Sequence, residues 1–296
     1  MSERVFIIGA GQVGRGLSRA FRASGVEVLG VHGRTPSEYA TSHGVMPPAI
    51  RDANTVIVAV RDQQIAGVVS GLAGAEQQRP LGFSQALHPI VSSGTVILHT
   101  SGIAEVRSLD LLRSAGFECG TFHPLAPFSV AERVPDLLRG GWVGIDGDDA
   151  ARANARRLAG HLGARTLEIP PGGKPAYHAA AVMASNFPVA LAYAASQLMH
   201  AAGIPDRTAQ SAVVSLINAA VGNLSNASPV DALTGPVVRG DAETVRKHVE
   251  MLSGQPELLG VYRALSEVAL KVARERGTDP SALAAIRSVL GTTSRP

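Results

Sequence analysis

Lys174, His178, Ala181 and Ser185 follow one another at intervals of four, three and four residues. In a helix that spacing lines up an amine, an imidazole and a hydroxyl on one face, with Asn186 beside them. The surrounding segment is alanine-rich and apolar, so these polar groups interrupt what reads as a buried helix. Leaving such a group buried and unpaired costs about 1 to 3 kcal/mol, which points either to a hydrogen-bonded packing network or to a wall facing a ligand. Pro188 favours the wall: it cannot donate to the Ala184 carbonyl, so a kink and a free acceptor are expected beside Ser185 and Asn186. A second candidate is His123, held in extended backbone by the Pro124 that follows it. Its imidazole can give a proton to a carbonyl, or take one from a hydroxyl, beside a transferred hydride. Tyr177 is assigned to packing, because a helical neighbour of His178 points away from it. His161, His200 and His248 have no supporting cluster, and no metal site is expected.

Hydride chemistry needs a carrier, and the N-terminus supplies a place for one. The apolar run Val5-Phe6-Ile7-Ile8 breaks into Gly9-Ala10-Gly11-Gln12-Val13-Gly14, a GxGxxG motif at a strand-to-helix turn. Gly9 allows the tight turn, Gly11 lets the backbone approach a pyrophosphate, and Gly14 lets the helix pack closely on the strand. The amide end of that helix then attracts the phosphates. About 20 residues on, where NAD enzymes usually carry an acid for the ribose 2′-hydroxyl, stand Arg34, Thr35 and Ser37. A guanidinium flanked by hydroxyls suits a 2′-phosphate, so NADP is favoured over NAD, which stays open. Val60 and Arg61, with Ser101 and Gly102, lie at the carboxyl ends of further expected strands and complete the cofactor groove. Ser101-Gly102 is placed either against the nicotinamide or as simple turn chemistry.

The elements that must position these residues alternate. Residues 5–8, 26–31, 56–60, 96–99, 142–145 and 165–169 read as strands, with His123 ending a further one and a helix over 149–162. This pattern predicts an α/β fold, a doubly wound parallel Rossmann sheet, over residues 1–170. After Pro170-Pro171-Gly172-Gly173 the chain reads as an all-helical C-terminal domain, 171–296, for substrate binding and dimerisation. Its helices are expected over 174–202, 207–224 and 242–252, with a last one capped by Asp279-Pro280 and ended by Gly291. Residues 77–93 read as a long loop, and 292–296 as a frayed end.

At 296 residues and 45% hydrophobic content, the chain can bury two ordinary cores. The apolar stretch 179–195 is interrupted by Ser185, Asn186 and Pro188, which argues for a buried helix and against a membrane span. Cys119 is the single cysteine, excluding an internal disulfide framework, and the N-terminus enters a strand with no secretory segment. A cytoplasmic protein without membrane partners is expected. The net charge of +3 is dispersed and aromatics are only 4%, which leaves no stacking platform for nucleic acid. The basic balance suits an anionic small molecule.

Taken together, the glycine motif, His99-Thr100-Ser101-Gly102, Phe122-His123-Pro124-Leu125, the run 177–186 and Leu233-Thr234-Gly235-Pro236 resemble a family of Rossmann-like oxidoreductases with a helical C-terminal domain of unknown function. That family is similar to pyrroline-5-carboxylate reductase, 6-phosphogluconate and β-hydroxyacid dehydrogenases, and prephenate dehydrogenase. The resemblance implies a helical domain that dimerises and closes the active site over NAD(P). Prephenate dehydrogenases carry a His-Pro motif, matched by His123-Pro124, and a helix with His and then Ser-His-Leu-Pro, where this chain has His178 and Ser185-Asn186-Phe187-Pro188. Hydroxyacid dehydrogenases use Lys and Asn four residues apart, where this chain has Lys174 and His178. Both departures argue against carrying over those substrates.

The sequence therefore predicts an NADP-dependent oxidoreductase, a homodimer acting on a small anionic carbonyl, hydroxyl or imine. His123, Lys174, His178, Ser185 and Asn186 are the catalytic candidates, with the proton donor open between His123 and Lys174. The rival reading is a catalytically inactive dinucleotide sensor or scaffold.

Overall fold

The computed structural model describes residues 2–74 and 90–291. The loop expected over 77–93 falls largely outside the described residues, as does the 292–296 end. The chain divides into two compact units, 1–185 and 186–296.

The first unit is built on an eight-stranded sheet of order β3-β2-β1-β4-β5-β6-β7-β8. The strands are β1 (Arg4–Ile8), β2 (Glu27–Gly33), β3 (Ser42–His43), β4 (Thr55–Val58), β5 (Val96–His99), β6 (Glu118–Pro124), β7 (Trp142–Gly147) and β8 (Arg165–Glu168). Pairing is parallel from β3 across to β6. It reverses between β6 and β7, and β8 follows β7 in parallel. The expected parallel sheet is therefore mostly parallel, with its last two strands inverted.

Both faces of the sheet are covered, which is why the strands read as continuous apolar runs rather than as alternations. In β1, Val5 and Ile7 join one core with Leu17 and Phe21 of α1 (Gln12–Ala23) and Leu158 of α5 (Asp149–His161). Phe6 and Ile8 turn to the opposite core, with Ile65 and Leu72 of α2 (Asp62–Ala73) and Leu112 of α3 (Asp110–Ser114). The short helix α4 (Val134–Leu138) adds Val134 and Leu138 to the first core. Full burial of each such side chain stabilises the fold by about 1.5 to 3 kcal/mol. Cys119 is buried and its thiol is pushed up to about 12, chiefly by that burial, which makes it inert.

Helix α6 (Lys174–Ala201) continues unbroken in hydrogen-bonding class through Pro188. The second unit adds α7 (Asp206–Leu224), α8 (Pro229–Ala232), α9 (Ala242–Leu252), α10 (Pro256–Glu275) and α11 (Pro280–Leu290). Its core joins Val245, Leu270, Ala273, Leu283, Ile286 and Leu290. The expected caps are present. Asp241 accepts from the Thr244 amide, Asp279 accepts from the Ala282 amide ahead of Pro280, and Gly291 closes α11 at φ 65°.

One expectation fails. Lys174 is the only fully buried residue of α6, while Met183, Phe187, Val189 and Tyr193 are exposed. By length and composition the helix would pass for a membrane span, with a mean hydropathy of 1.3 over its apolar window. A helix this apolar is expected to be buried, and most of its side chains are instead exposed or half-buried.

Candidate active site

The glycine turn has the geometry its sequence implies. Gly9 sits at φ 121°, a conformation suited to glycine, and a Cβ there would strike the Ala59 carbonyl of the neighbouring strand. A Cβ on Gly14 would collide with the Gly9 carbonyl, so the helix can approach the strand only without one. Around Gly11 nothing lies within 4 Å of a Cβ position, which leaves the backbone open to a phosphate. Gly11 is the N-cap of α1, offers no side-chain cap, and is followed by no acid in a first turn that includes Gln12 and Val13. The leading amides are thus available to an anion.

A cleft of about 610 Å³ extends from this turn, lined by Gly9, Gly11, Arg34, Thr35, Ser37, Val60 and Arg61. Arg34 and Thr35 are both exposed. The loop that carries them leads to Tyr39, whose ring lies under the Arg15 guanidinium, 3.2 Å from the ring centroid. This cation–π contact ties the loop to α1 and escaped the sequence reading, because nothing in the spacing of Arg15 and Tyr39 marks it. The uncapped amides, the open approach at Gly11 and the Arg34-Thr35 rim fit a phosphorylated dinucleotide.

A second constellation forms where β5 and β6 end. Beyond β5, Ser101 is buried, and its hydroxyl accepts from the amides of Ile103 (3.3 Å) and Ala104 (2.9 Å). Its oxygen organises the turn, the simpler of the two roles foreseen for it. Lys174 is fully buried behind that turn and donates from Nζ to the Ser101 carbonyl, 3.3 Å away. Burial brings its ammonium down to about 8, opposed by the fields of Asp146, Glu105 and Asp62. At neutral pH it therefore carries its charge.

His123, near the end of β6, bonds through Nδ1 to the Tyr177 hydroxyl at 2.6 Å, with the two rings edge to face. The rings of His123 and His178 lie 5.9 Å apart between centroids. Burial lowers His123 to about 4, helped by His178 and Lys174, so its ring is neutral at pH 7. A Cβ on Gly102 would lie 2.8 Å from His123 Nε2 and would strike His178 Nδ1. Both imidazoles therefore fill the space that a side chain on Gly102 would need. His99 is fully buried on β5, accepts from the Ser101 amide through Nδ1, and is brought down to about 3, mainly by burial.

Ser101, Gly102, His123, Lys174 and His178 are thus brought together, while Ser185 and Asn186 are solvent-exposed. The helix rises about 1.5 Å per residue, which puts Ser185 roughly 16 Å along the axis from Lys174. The α6 side chains that meet these partners, Lys174, Tyr177 and His178, all stand in its first two turns. Tyr177, assigned to packing by its adjacency to His178, instead partners His123. Its signal was present: it stands three residues from Lys174 and so shares that face of the helix. Among the described residues, no group of three or more His, Cys, Asp or Glu is placed to hold a metal ion.

The fold and the cleft define a Rossmann dinucleotide-binding protein with a helical second unit. Residues 4–81 match the family described as NADP oxidoreductase, coenzyme F420-dependent. Residues 142–269 match DUF2520, a domain of unknown function. The chain is thus similar to NADP oxidoreductases over its nucleotide-binding residues and to a domain of unknown function over much of the remainder, likenesses that support NADP as the cofactor. The second match begins at β7, inside the sheet, and includes Lys174, Tyr177 and His178. No curated protein matches the chain.

Solved structures share the fold. A Bacteroides fragilis protein described as a candidate NADP oxidoreductase is similar with TM-score 0.67 and 21% identity, over 90% of this chain and 97% of that one. A pyrroline-5-carboxylate reductase of Streptococcus pyogenes is similar with TM-score 0.57 and 16% identity, over 98% and 97%. An imine reductase of a Pseudomonas species is similar with TM-score 0.54 and 17% identity, over 98% and 93%.

Proposed function

We propose that this protein reduces a small carbonyl or imine compound with NADPH, or runs the reverse oxidation of the hydroxyl or amine. The carrying observation is the convergence of His123, His178 and the Lys174 ammonium on the Ser101-Gly102 turn, at the carboxyl ends of strands in the sheet that bears the dinucleotide cleft. Ligands of open α/β sheets bind at such strand ends.

When bound, NADPH supplies the hydride. Arg34 and Thr35 hold its 2′-phosphate, and the α1 amides at Gly11 and Gln12 hold the pyrophosphate. His123, neutral at pH 7, offers a hydrogen bond from its ring to the substrate oxygen or nitrogen. Lys174 acts from behind the turn, its positive field stabilising negative charge that develops on that atom. The proton that accompanies the hydride is drawn from solvent.

The apolar face of α6 supports a homodimer as the working form. Met183 with Phe187, and Val189 with Tyr193, each pair four residues apart, would otherwise stand in water. Light scattering should give twice the chain mass, and a monomer at micromolar concentration would overturn this.

The test of the activity is purified protein with NADPH against a panel of oxo acids, aldehydes and cyclic imines. Oxidation of NADPH with at least one class, faster than with NADH, is expected. Tight NADPH binding with no turnover across the panel would overturn the reading.

A further inference from the structure

Sequence register and side-chain geometry single out Tyr177. The antiparallel pairing of β6 with β7 sets His123 directly opposite Gly144. Tyr177 lies against that glycine: a Cβ on Gly144 would strike the Tyr177 hydroxyl and would stand 2.7 Å from Cζ of the ring. The missing side chain is what allows the phenol to reach across β7 and meet His123 Nδ1 at 2.6 Å. Burial pushes the Tyr177 hydroxyl up from its ordinary range, so it keeps its proton.

The bond between them has two possible directions. His123 Nδ1 is the one hydrogen-bond partner the described residues give the Tyr177 hydroxyl. If Nδ1 carried the ring proton, the phenol would accept from it and its own proton would lack an acceptor. If the phenol donates, its proton and the Nδ1 lone pair satisfy each other, and the ring proton resides on Nε2. Nε2 is the nitrogen turned toward Gly102 and His178.

We propose that Tyr177, seated in the space left by Gly144, is a positioning residue that fixes His123 in its Nε2–H form, so that the ring presents a donor over Gly102. The inference rests on the proposed activity only in taking that donor to meet the substrate; the tautomer itself is a property of the protein. A neutral ring that donates selects an acceptor, a carbonyl oxygen or an imine nitrogen, as the group bound there. The charged and titratable groups that face His123 are Asp62 from α2, His99 from β5, and Lys174, Tyr177 and His178 from α6. Removing the phenol proton therefore alters the ring's hydrogen bonding while leaving those charges in place.

The experiment is NMR of protein labelled with 15N-histidine, at pH 7 and saturated with NADP⁺, comparing wild type with Tyr177→Phe and Gly144→Ala. Of nine histidines, His123 is assigned by its loss in a His123→Gln control. In the wild type the His123 nitrogens should report one form, protonated at Nε2. Tyr177→Phe, which keeps the ring and removes only the hydroxyl, should give a mixture of both tautomers. Gly144→Ala, which displaces the hydroxyl without deleting it, should do the same. An unchanged Nε2–H signature in both variants would overturn the inference, as would an Nδ1–H form in the wild type. Should either variant fail to fold by circular dichroism, the other and the wild-type tautomer still decide the question.

Turnover separates the two claims. With an active substrate, Tyr177→Phe should lower kcat by the fraction of rings that lose the Nε2 proton, about twofold for an even mixture, and leave the KM for NADPH unchanged. A mixed tautomer with undiminished kcat would refute the role of His123 in the reaction while leaving the positioning by Tyr177 intact.

Discussion

Replacing Lys174 by methionine should stabilise the protein at neutral pH while removing the charge beneath the site. The ammonium is fully buried and titrates at about 8 instead of 10.5. Two and a half pH steps at 1.36 kcal/mol each give about 3 kcal/mol as the cost of keeping this charge inside the fold. Methionine has a similar length and no charge to desolvate. It forfeits the hydrogen bond to the Ser101 carbonyl, worth about 1 kcal/mol, so the net gain at pH 7 is about 2 kcal/mol. The sign with pH follows from linkage. Between pH 8 and 10.5 the unfolded chain holds the lysine proton and the folded chain does not, so wild-type stability rises across that window through this group. Cys119 works in the opposite direction, since its raised folded value costs stability once the unfolded thiol ionises, but it does so equally in both proteins. Urea unfolding of wild type and Lys174→Met at pH 7 and pH 10 reads the difference. The advantage of the variant should be about 2 kcal/mol at pH 7 and vanish by pH 10. A variant less stable than wild type by the same amount at both pH values would refute the reasoning, because Lys174 would then be stabilising irrespective of its charge.

Two further outcomes follow from the same side chains. Reduction should slow as pH rises through about 8, where Lys174 loses the charge that stabilises the developing anion, with His123 neutral throughout; a pH profile of kcat that stays flat from 6 to 10 would contradict this. Arg34→Ala should weaken NADPH binding roughly tenfold to a hundredfold and leave NADH binding within about twofold, as fits the loss of one charge-assisted contact to a 2′-phosphate; calorimetry showing equal losses for both would remove Arg34 from that role.

The nucleotide half was legible because its rules are local. Gly9, Gly11 and Gly14 announce the turn whatever surrounds them, and apolar runs such as 96–99 announce buried strands. Asp241, Asp279 and Gly291 likewise mark helix ends through their own backbone preferences. The inversion of β7 and β8 was not legible, since a strand of given composition reads the same in either direction. The polar face of α6 was half legible. Helical periodicity groups Lys174 with His178, both of which lie beside the Ser101-Gly102 turn, and extends the same face to Ser185 and Asn186, which are exposed. Tyr177 was set aside by its adjacency to His178, although its distance from Lys174 places it on the inner side. What decides its partner is Gly144, a residue thirty-three positions earlier whose lack of a side chain matters only once β6 and β7 are paired.

Helix α1 begins on a residue with nothing to offer its own backbone, and its first turn contains no acid. Its leading N–H groups must be satisfied from outside the polypeptide, by water or by an anion. A dinucleotide that takes this place completes the helix's internal bonding as well as occupying a cleft, so coenzyme uptake and consolidation of the first βαβ unit form one equilibrium. The protein's lifetime in a cell would then track the size of the coenzyme pool, giving a metabolic state a direct hold on abundance.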